Sequence, residues 1–474
     1  MSRTLDISRR FLRSVNLARD CNSATDISGY IVTPSVRTAL FRLVHGLVDG
    51  RIDRAFALTG PYGSGKSSFG LFLFHLLRSR TDTSWKLLRD ADPKLAEEVR
   101  RVIWPDRAGK SFAFLPATAG RQSVQALLAD AVDAFAEAPS RVVRLSRDLR
   151  NSRDMKDAVT LVEKISEEFR NAGYRGIVFV LDEFGLVFDN ARINPKETDV
   201  SLLQELAEVA SRREDASLVL VGILHQGFAD YAASDAALRK EFSKIEGRFD
   251  TIAFSETPAA QIQLVAAAIN SKRTLTSEER KLVKQAVKDK VPSCVGLSNE
   301  EFVRFAEKSW PIHPLALAAL PILFRRLGQN ERSVFTFLVG SEPNGLQDFW
   351  SHRNDDELVT LVDIYDYLFT NFEAHLSRHS FGQSLLDAHD ALESKPSLSK
   401  IDARIIKTVA LLSSLGSQSQ VRATEQLVHL ALAPERFETN LDDLVDASIL
   451  VFRRFSETYA LWSGSDIDLR ECEK

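Results

Sequence analysis

Gly60-Pro61-Tyr62-Gly63-Ser64-Gly65-Lys66-Ser67 decides how this chain is read. The stretch fills every position of the pattern G-x-x-x-x-G-K-[ST], follows the apolar run Ala55 to Thr59 and opens the helical run Ser68 to Leu77. Glycines at these places let successive backbone N–H groups turn inward onto phosphate oxygens, and the N-terminus of the following helix adds partial positive charge. The spacing lets Lys66 reach the β- and γ-phosphates of a nucleotide and offers the Ser67 hydroxyl to Mg²⁺. Gly60, Tyr62, Gly63, Ser64, Gly65, Lys66, Ser67 and Ser68 are the expected phosphate-binding residues. The plain alternative is a glycine-rich strand-to-helix turn without a ligand. A strand before, a helix after and a complete consensus speak against it.

A second element lies downstream. The apolar run Ile177 to Leu181 ends in Asp182-Glu183, a pair of carboxylates at a strand tip. In phosphoryl transfer such a pair divides the work: Asp182 holds the metal through water, and Glu183 orients and deprotonates the attacking water. Taken alone, the pair also fits a strand end with solvated acids. The next apolar run, Ser217 to Leu224, ends at His225 and Gln226. His225 there either contacts the γ-phosphate or the attacking water, or satisfies loop backbone. Arg248 follows Glu246-Gly247 just before the run at Phe249. It is placed to stabilise transition-state charge in a neighbouring subunit's site, or to sit at the surface paired with Glu246.

Apolar runs at Ala55 to Thr59, Ser111 to Leu115, Ile177 to Leu181, Leu218 to Leu224 and Phe249 to Phe254 alternate with helical patterns. That alternation predicts an α/β fold, a three-layer parallel sheet covered by helices, with the runs from Ile177 and Leu218 as central strands. After Thr257 and Pro258 the pattern is helical. The expected organisation is an N-terminal extension (1–24), a core (25–255) with an insertion (85–176), a helical lid (256–352) and a C-terminal region (353–474). In that last region helical patterns at about 401–415, 423–432 and 435–447 precede an alternating stretch from Ile449 to Trp462, the order of a winged helix. The chain has 474 residues, enough for several domains. Hydrophobic residues at 44% and charged residues at 27% argue against disorder along most of the length. A formal charge of −4 excludes a global basic field, so binding to nucleic acid must be local. Cys21, Cys294 and Cys472 have neither metal-site nor disulfide-framework spacing, which fits a reducing cytoplasm. The longest apolar run, Pro314 to Phe324, is far shorter than the roughly 20 residues that cross a bilayer, so no membrane association is expected.

The phosphate loop, Leu181-Asp182-Glu183, His225 and Arg248 together resemble the AAA+ class, in the branch shared by initiator ATPases and STAND signalling ATPases. This resemblance implies a lid over the nucleotide. His313-Pro314-Leu315-Ala316-Leu317 is similar to the G-x-P-L-A-L lid motif of STAND proteins, and Pro314 is the residue it would place near adenine. The sensor arginine of many AAA+ lids is missing, with Arg325 and Arg326 lying about three turns further on. Tyr30-Ile31-Val32-Thr33-Pro34 stands where this branch supplies an adenine-contacting segment, so Ile31 and Val32 become candidate base contacts, or ordinary core. A narrower similarity runs from Pro314 through Leu320-Pro321, Arg325 to Ser333, Phe335 and Phe337-Leu338, then Trp462 to Asp466. These stretches look like the large ATPases of prokaryotic phage-defence islands, including the BREX type. Those proteins are usually much longer, which implies a compact relative or a missing C-terminal region.

Two features bear on DNA. Arg141, Arg144, Arg147, Arg150, Arg153 and Lys156 recur at every third position, which on one helix forms a slanted basic stripe that meets phosphates or an acidic partner, or a solvated face balanced by Asp148 and Asp154. Against it, the third helix of the winged-helix pattern carries Glu435, Glu438, Asp442, Asp443 and Asp446 with only Arg436, and such a helix repels the duplex backbone.

The sequence therefore reads as a cytoplasmic ATPase with ATP and Mg²⁺ as ligands, ATP being favoured over GTP because no Asn-Lys-x-Asp motif is present. The resemblance implies a motor or switch subunit of an anti-phage defence system. Its partners would be further copies of itself, other defence proteins and duplex DNA at local basic patches. The rival readings are a nucleotide-loaded signalling scaffold with little turnover and an initiator-like DNA loader.

Overall fold

The computed structural model describes residues 5, 7–8, 15–21, 23, 26–48, 53–106, 109–194, 200–213, 215, 217–233, 235–327, 334–352, 354, 357–416, 419–433 and 440–462. Features read at Gly328 to Ser333, Glu435, Arg436, Glu438, Ser463 to Asp466 and Cys472 lie outside these residues. The chain divides into one unit of Ser14–Glu256 and another of Met1–Arg13 with Thr257–Lys474.

In the first unit the elements are α1 (Leu17–Asp20), α2 (Pro34–Gly46), β1 (Ala55–Thr59), α3 (Lys66–Arg78), α4 (Thr83–Ala91), α5 (Pro93–Ile103), β2 (Ala113–Thr118), α6 (Val124–Asp133), α7 (Ser140–Asn151) and α8 (Met155–Asn171). They continue as β3 (Ile177–Asp182), α9 (Gly185–Ile193), α10 (Ser201–Arg212), β4 (Leu218–Leu224), α11 (Ala236–Glu246) and β5 (Asp250–Ala253). The strands form one parallel sheet in the order β2-β3-β4-β1-β5. β3 and β4 are buried along their whole length, as expected of strands covered on both faces. Alternation sorts the side chains: Ala55, Ala57, Phe179, Leu181, Leu218 and Leu220 pack with α6 to α10, while Phe56, Leu58, Val178, Val180, Val219 and Val221 pack with α2 to α5. This is the expected three-layer α/β arrangement.

Local chemistry shifts some boundaries. β2 begins at Ala113 and extends through Pro116, which a strand at the sheet edge tolerates because its missing N–H faces away from the ladder. β5 is shorter than the apolar pattern around it, covering Asp250 to Ala253 alone. The six basic residues from Arg141 to Lys156 do not form one helical stripe. α7 stops at Asn151, Ser152 is extended, and Asp154 caps α8 by accepting from Lys156 N and Asp157 N. Arg150 is bound to Asp130 and Asp133 of α6, each at 2.7 Å, and Arg141 lies 3.0 Å from Glu168. The period of three in the sequence therefore crosses a helix break, and two of its cations face carboxylates.

The second unit contains α12 (Pro258–Ile269), α13 (Ser277–Lys288), α14 (Val291–Cys294), α15 (Asn299–Lys308), α16 (Pro314–Leu327), α17 (Val334–Val339), α18 (Leu346–His352) and α19 (Leu361–Leu376). After these come α20 (Gln383–Ser394), α21 (Lys400–Ser414), α22 (Glu425–Leu432), α23 (Asn440–Asp446), β6 (Leu450–Arg453) and β7 (Thr458–Leu461). The apolar run from Pro314 becomes α16, buried from Pro314 through Pro321 and central to this unit's core. Arg326, near its end, donates from Nη1 to the Ser414 carbonyl at 2.7 Å and so satisfies the last turn of α21. β6 and β7 pair antiparallel, with Leu450 opposite Leu461. Asp442, Asp443 and Asp446 of α23 are exposed, as are Arg453 and Arg454 of the hairpin. Among the described residues no helix is long and apolar enough to cross a membrane.

Candidate nucleotide site

The site is built at the C-terminal end of the parallel sheet, where the chain leaves β1, turns through Gly60 to Gly65 and enters α3. Gly65 has φ 93°, a left-handed conformation that costs a side-chain-bearing residue energy, and it lets α3 begin at Lys66 with its first N–H groups aimed into the loop. Gly60 is required for a different reason. A Cβ there would lie 2.3 Å from the Phe254 carbonyl oxygen, because the chain leaving β5 runs directly beside it. Ser68 is half-buried in the first turn of α3.

Lys66 is 4% exposed. Its Nζ donates to the carbonyls of Gly60 and Pro61 at 2.6 and 2.8 Å and to Ser64 Oγ at 3.2 Å. Burial pushes its ammonium down to about 8, opposed by the nearby carboxylates of Asp182 and Glu183. Those three contacts hold the cation at the mouth of the loop, among the backbone groups that would cradle phosphate.

Ser67 Oγ donates to Asp182 Oδ1 at 3.0 Å, joining α3 to the end of β3 across the intervening strand β4. Asp182 is buried, and burial raises its carboxyl above the ordinary range while the Ser67 hydrogen bond works in the opposite direction. A hydroxyl and a carboxylate side by side are hard oxygen donors, the ligand type that suits Mg²⁺. Ser67 and Asp182 therefore fit as the residues that would hold that ion.

Glu183 adopts φ 53°, an uncommon conformation for a residue with a side chain and one that turns the chain sharply out of β3. Its backbone N–H donates to Asp182 Oδ1 at 3.0 Å, and its Oε2 lies 2.6 Å from His225 Nε2. That hydrogen bond is the main reason its carboxyl sits below the usual glutamate range. His225 stands at the tip of β4, its backbone N–H donating to the Tyr231 hydroxyl at 3.2 Å. The Tyr62 ring stacks on the imidazole with 3.3 Å between centroids. The phosphate loop, the acidic strand end and the β4 tip thus meet around one histidine. Tyr231 was not legible as part of this cluster, because a tyrosine in a short 3₁₀ turn carries no motif.

The remaining expected residues fall elsewhere. Ile31 and Val32 are half-buried, and Val32 packs on the core that includes α2 and α3. Pro314 is buried at the start of α16 in the other unit. Arg248 does not pair with Glu246. Its Nη2 lies 3.1 Å from Glu208 Oε1, a carboxylate that also binds Arg212 and Gln204, because α10 runs alongside the turn after α11. A further pair was missed by sequence reasoning. The Thr33 hydroxyl donates to Oε1 of Glu256, which is 6% exposed and raised above the glutamate range by burial.

No known protein family matches the sequence, and no curated protein matches it. Among solved structures the chain is similar to two of the Aeropyrum pernix ORC2 protein, one described as ADPNP-ADP complexes and one as the ADP form, each at 12% identity. The first match covers 92% of this chain and 90% of the other with a TM-score of 0.30, and the second covers 98% and 96% with a TM-score of 0.32. A likeness this slight carries no argument, and the reading of the site rests on its own geometry.

Proposed function

We propose that the chain binds and hydrolyses Mg-ATP at the loop from Gly60 to Ser68, as an ATPase of AAA+ type. The observation that carries this is the Ser67–Asp182 hydrogen bond, which brings the end of the phosphate loop to the carboxylate pair with Glu183 and His225 immediately beside it. Backbone N–H groups of the loop bind the phosphates, and Lys66 supplies the cation that follows charge onto the β- and γ-oxygens. Mg²⁺ held by Ser67 and Asp182 would neutralise phosphate charge there. Glu183 is kept ionised by His225 and therefore able to accept a proton from water. His225 positions that carboxylate, and its own Nδ1 is buried without a hydrogen-bond partner among the described residues. On this reading Ile31 and Val32 belong to the adenine end, and Pro314 is assigned to it by sequence resemblance alone.

Arg248 is half-exposed at the surface, and assembly of several copies would let it enter a neighbour's site. Mixing Lys66→Ala chains with Arg248→Ala chains tests this, since an intact site forms between chains only in the mixture. Recovered turnover supports the trans role, and no recovery removes it. A low-turnover switch is the second reading, favoured by Arg326, which serves α21 through Ser414 within its own unit. The wider role as motor or switch of an anti-phage defence system rests on sequence resemblance alone, as do a winged helix at 401–462 and duplex DNA as a partner. ATP binding by the purified protein that is lost in Lys66→Ala is the first test of the site itself.

A further inference from the structure

Glu183 is held by His225, and the strand tip that carries His225 is itself held by a residue outside every motif of the sequence. Tyr231 lies in the 3₁₀ turn Phe228–Ala232 that follows β4 and is 7% exposed. The Gly227 N–H, at the start of that turn, donates to Asp230 Oδ2 at 3.2 Å, which closes the turn and brings Tyr231 back to the β4 tip. Its hydroxyl oxygen accepts the backbone N–H of His225 at 3.2 Å and also that of Gln226. A phenol oxygen has acceptor capacity for both, and the two N–H groups lie just beyond Leu224, the last residue of β4. Burial pushes the phenol up to about 12 against the pull of those N–H groups, so Tyr231 is a neutral hydroxyl wherever the site works.

The same hydroxyl reaches the end of β3. Gly185, two residues after Glu183, lies so close to the Tyr231 ring and hydroxyl that a Cβ there would overlap both. The Tyr231 ring also stacks with Phe188 of α9, with 5.9 Å between centroids. Between these points the backbone is tied on both sides of Glu183. The Phe184 N–H donates to the Ile223 carbonyl of β4 at 2.9 Å, and the Leu186 N–H returns to the Glu183 carbonyl at 2.9 Å. One phenol therefore braces the tip of β4 against the start of α9, and the 2.6 Å contact between His225 Nε2 and Glu183 Oε2 spans the gap that it sets. Filling the core would need only the ring. The oxygen is the part that meets the functional strand tip.

We propose that Tyr231 is a positioning residue for ATP hydrolysis, its hydroxyl fixing the β4 tip so that His225 holds Glu183 in place. This rests on the reading of Glu183 as the group that activates water. Tyr231 touches neither the loop that binds phosphate nor the expected metal ligands in any hydrogen bond described above, so its effect belongs to the chemical step and not to binding.

The test measures kcat, KM and ATP affinity for the wild type, Tyr231→Phe, His225→Ala and the double variant. Tyr231→Phe keeps the ring and removes the oxygen. Its kcat is expected to fall roughly tenfold, within the range that a slight misplacement of a reacting group costs, with ATP affinity kept within about threefold. In the His225→Ala background the same substitution is expected to change kcat by less than about twofold, because the two residues act in series. A tyrosine that merely fills the core would lower turnover equally in both backgrounds. Gly185→Ala pushes the hydroxyl aside while Tyr231 and His225 stay intact, and it should reproduce the loss in kcat. It carries the same comparison should Tyr231→Phe fail to fold. Unchanged kcat in Tyr231→Phe, equal losses with and without His225, or a loss of ATP affinity as large as the loss of turnover overturns this inference and leaves the ATP site standing. A wild type that binds ATP but shows no Glu183-dependent turnover overturns the hydrolytic reading and this inference together.

Discussion

His225 Nε2 lies 2.6 Å from Oε2 of Glu183, so the tip of β4 holds the carboxylate that β3 presents. The same imidazole is covered by Tyr62 of the phosphate loop, so one ring connects loop and carboxylate.

Replacing His225 with alanine removes the hydrogen bond that keeps Glu183 low and in place. Turnover is expected to fall roughly 10- to 100-fold, since positioned proton transfer contributes on that order. ATP affinity should stay within about threefold, because the contacts that hold Lys66, to Gly60, Pro61 and Ser64, do not involve His225. Steady-state kcat and KM separate these effects: a raised KM with unchanged kcat would place His225 in binding instead.

Gly222 lies in β4, where a Cβ would come 2.3 Å from Cδ1 of Phe184, the residue after Glu183. Gly222→Ala is expected to destabilise the first unit by about 1–3 kcal/mol, the usual cost of overpacking a core. Adding Phe184→Leu should recover part of that loss. Urea unfolding of the single and double variants reads the coupling directly, and strictly additive losses would contradict the contact.

His313 in the second unit is buried, with Nδ1 accepting from Leu315 N at 3.1 Å, and burial pushes its imidazole down to about 4. An unfolded histidine titrates near 6.5, so between those values the unfolded chain binds more protons and stability falls as pH drops. The contribution present above pH 6.5 and lost by pH 4 is on the order of 3 kcal/mol. Unfolding midpoints measured at pH 7 and pH 5 should fall less in His313→Gln than in wild type. Equal falls would show that the site does not carry this titration.

Arg150 spans Asp130 and Asp133 but is partly exposed, so Arg150→Ala should cost at most about 1 kcal/mol, shrinking in high salt. A larger, salt-independent loss in denaturant titration would mean that its stem, not its charge, supports α6 and α7.

Lys66, Ser67, Asp182 and Glu183 stood out in the sequence because each belongs to a local pattern, a glycine loop after an apolar run or carboxylates closing one. The parallel sheet was legible for the same reason, since strands buried on both faces leave continuous apolar runs such as Ile177 to Leu181. Pairings across long separations were not. Thr33 with Glu256, and Arg248 with Glu208, join residues of ordinary type whose meeting depends on which strands and helices become neighbours. The basic repeat from Arg141 misled because a period of three in sequence says nothing of the break at Asn151, which Ser152 and the Asp154 cap create. Thr33-Pro34 did carry a readable signal, an N-cap followed by proline in the first turn, though it marks a helix start and not a ligand site.

The most direct test is ATP hydrolysis by the purified protein beside its Glu183→Gln variant, over a range of protein concentrations, with ATP binding measured on both. The account predicts turnover in the wild type that rises with concentration, and a variant that binds ATP but does not turn it over. Equal turnover in the two proteins would contradict it, because the carboxylate held by His225 would then have no part in the chemistry.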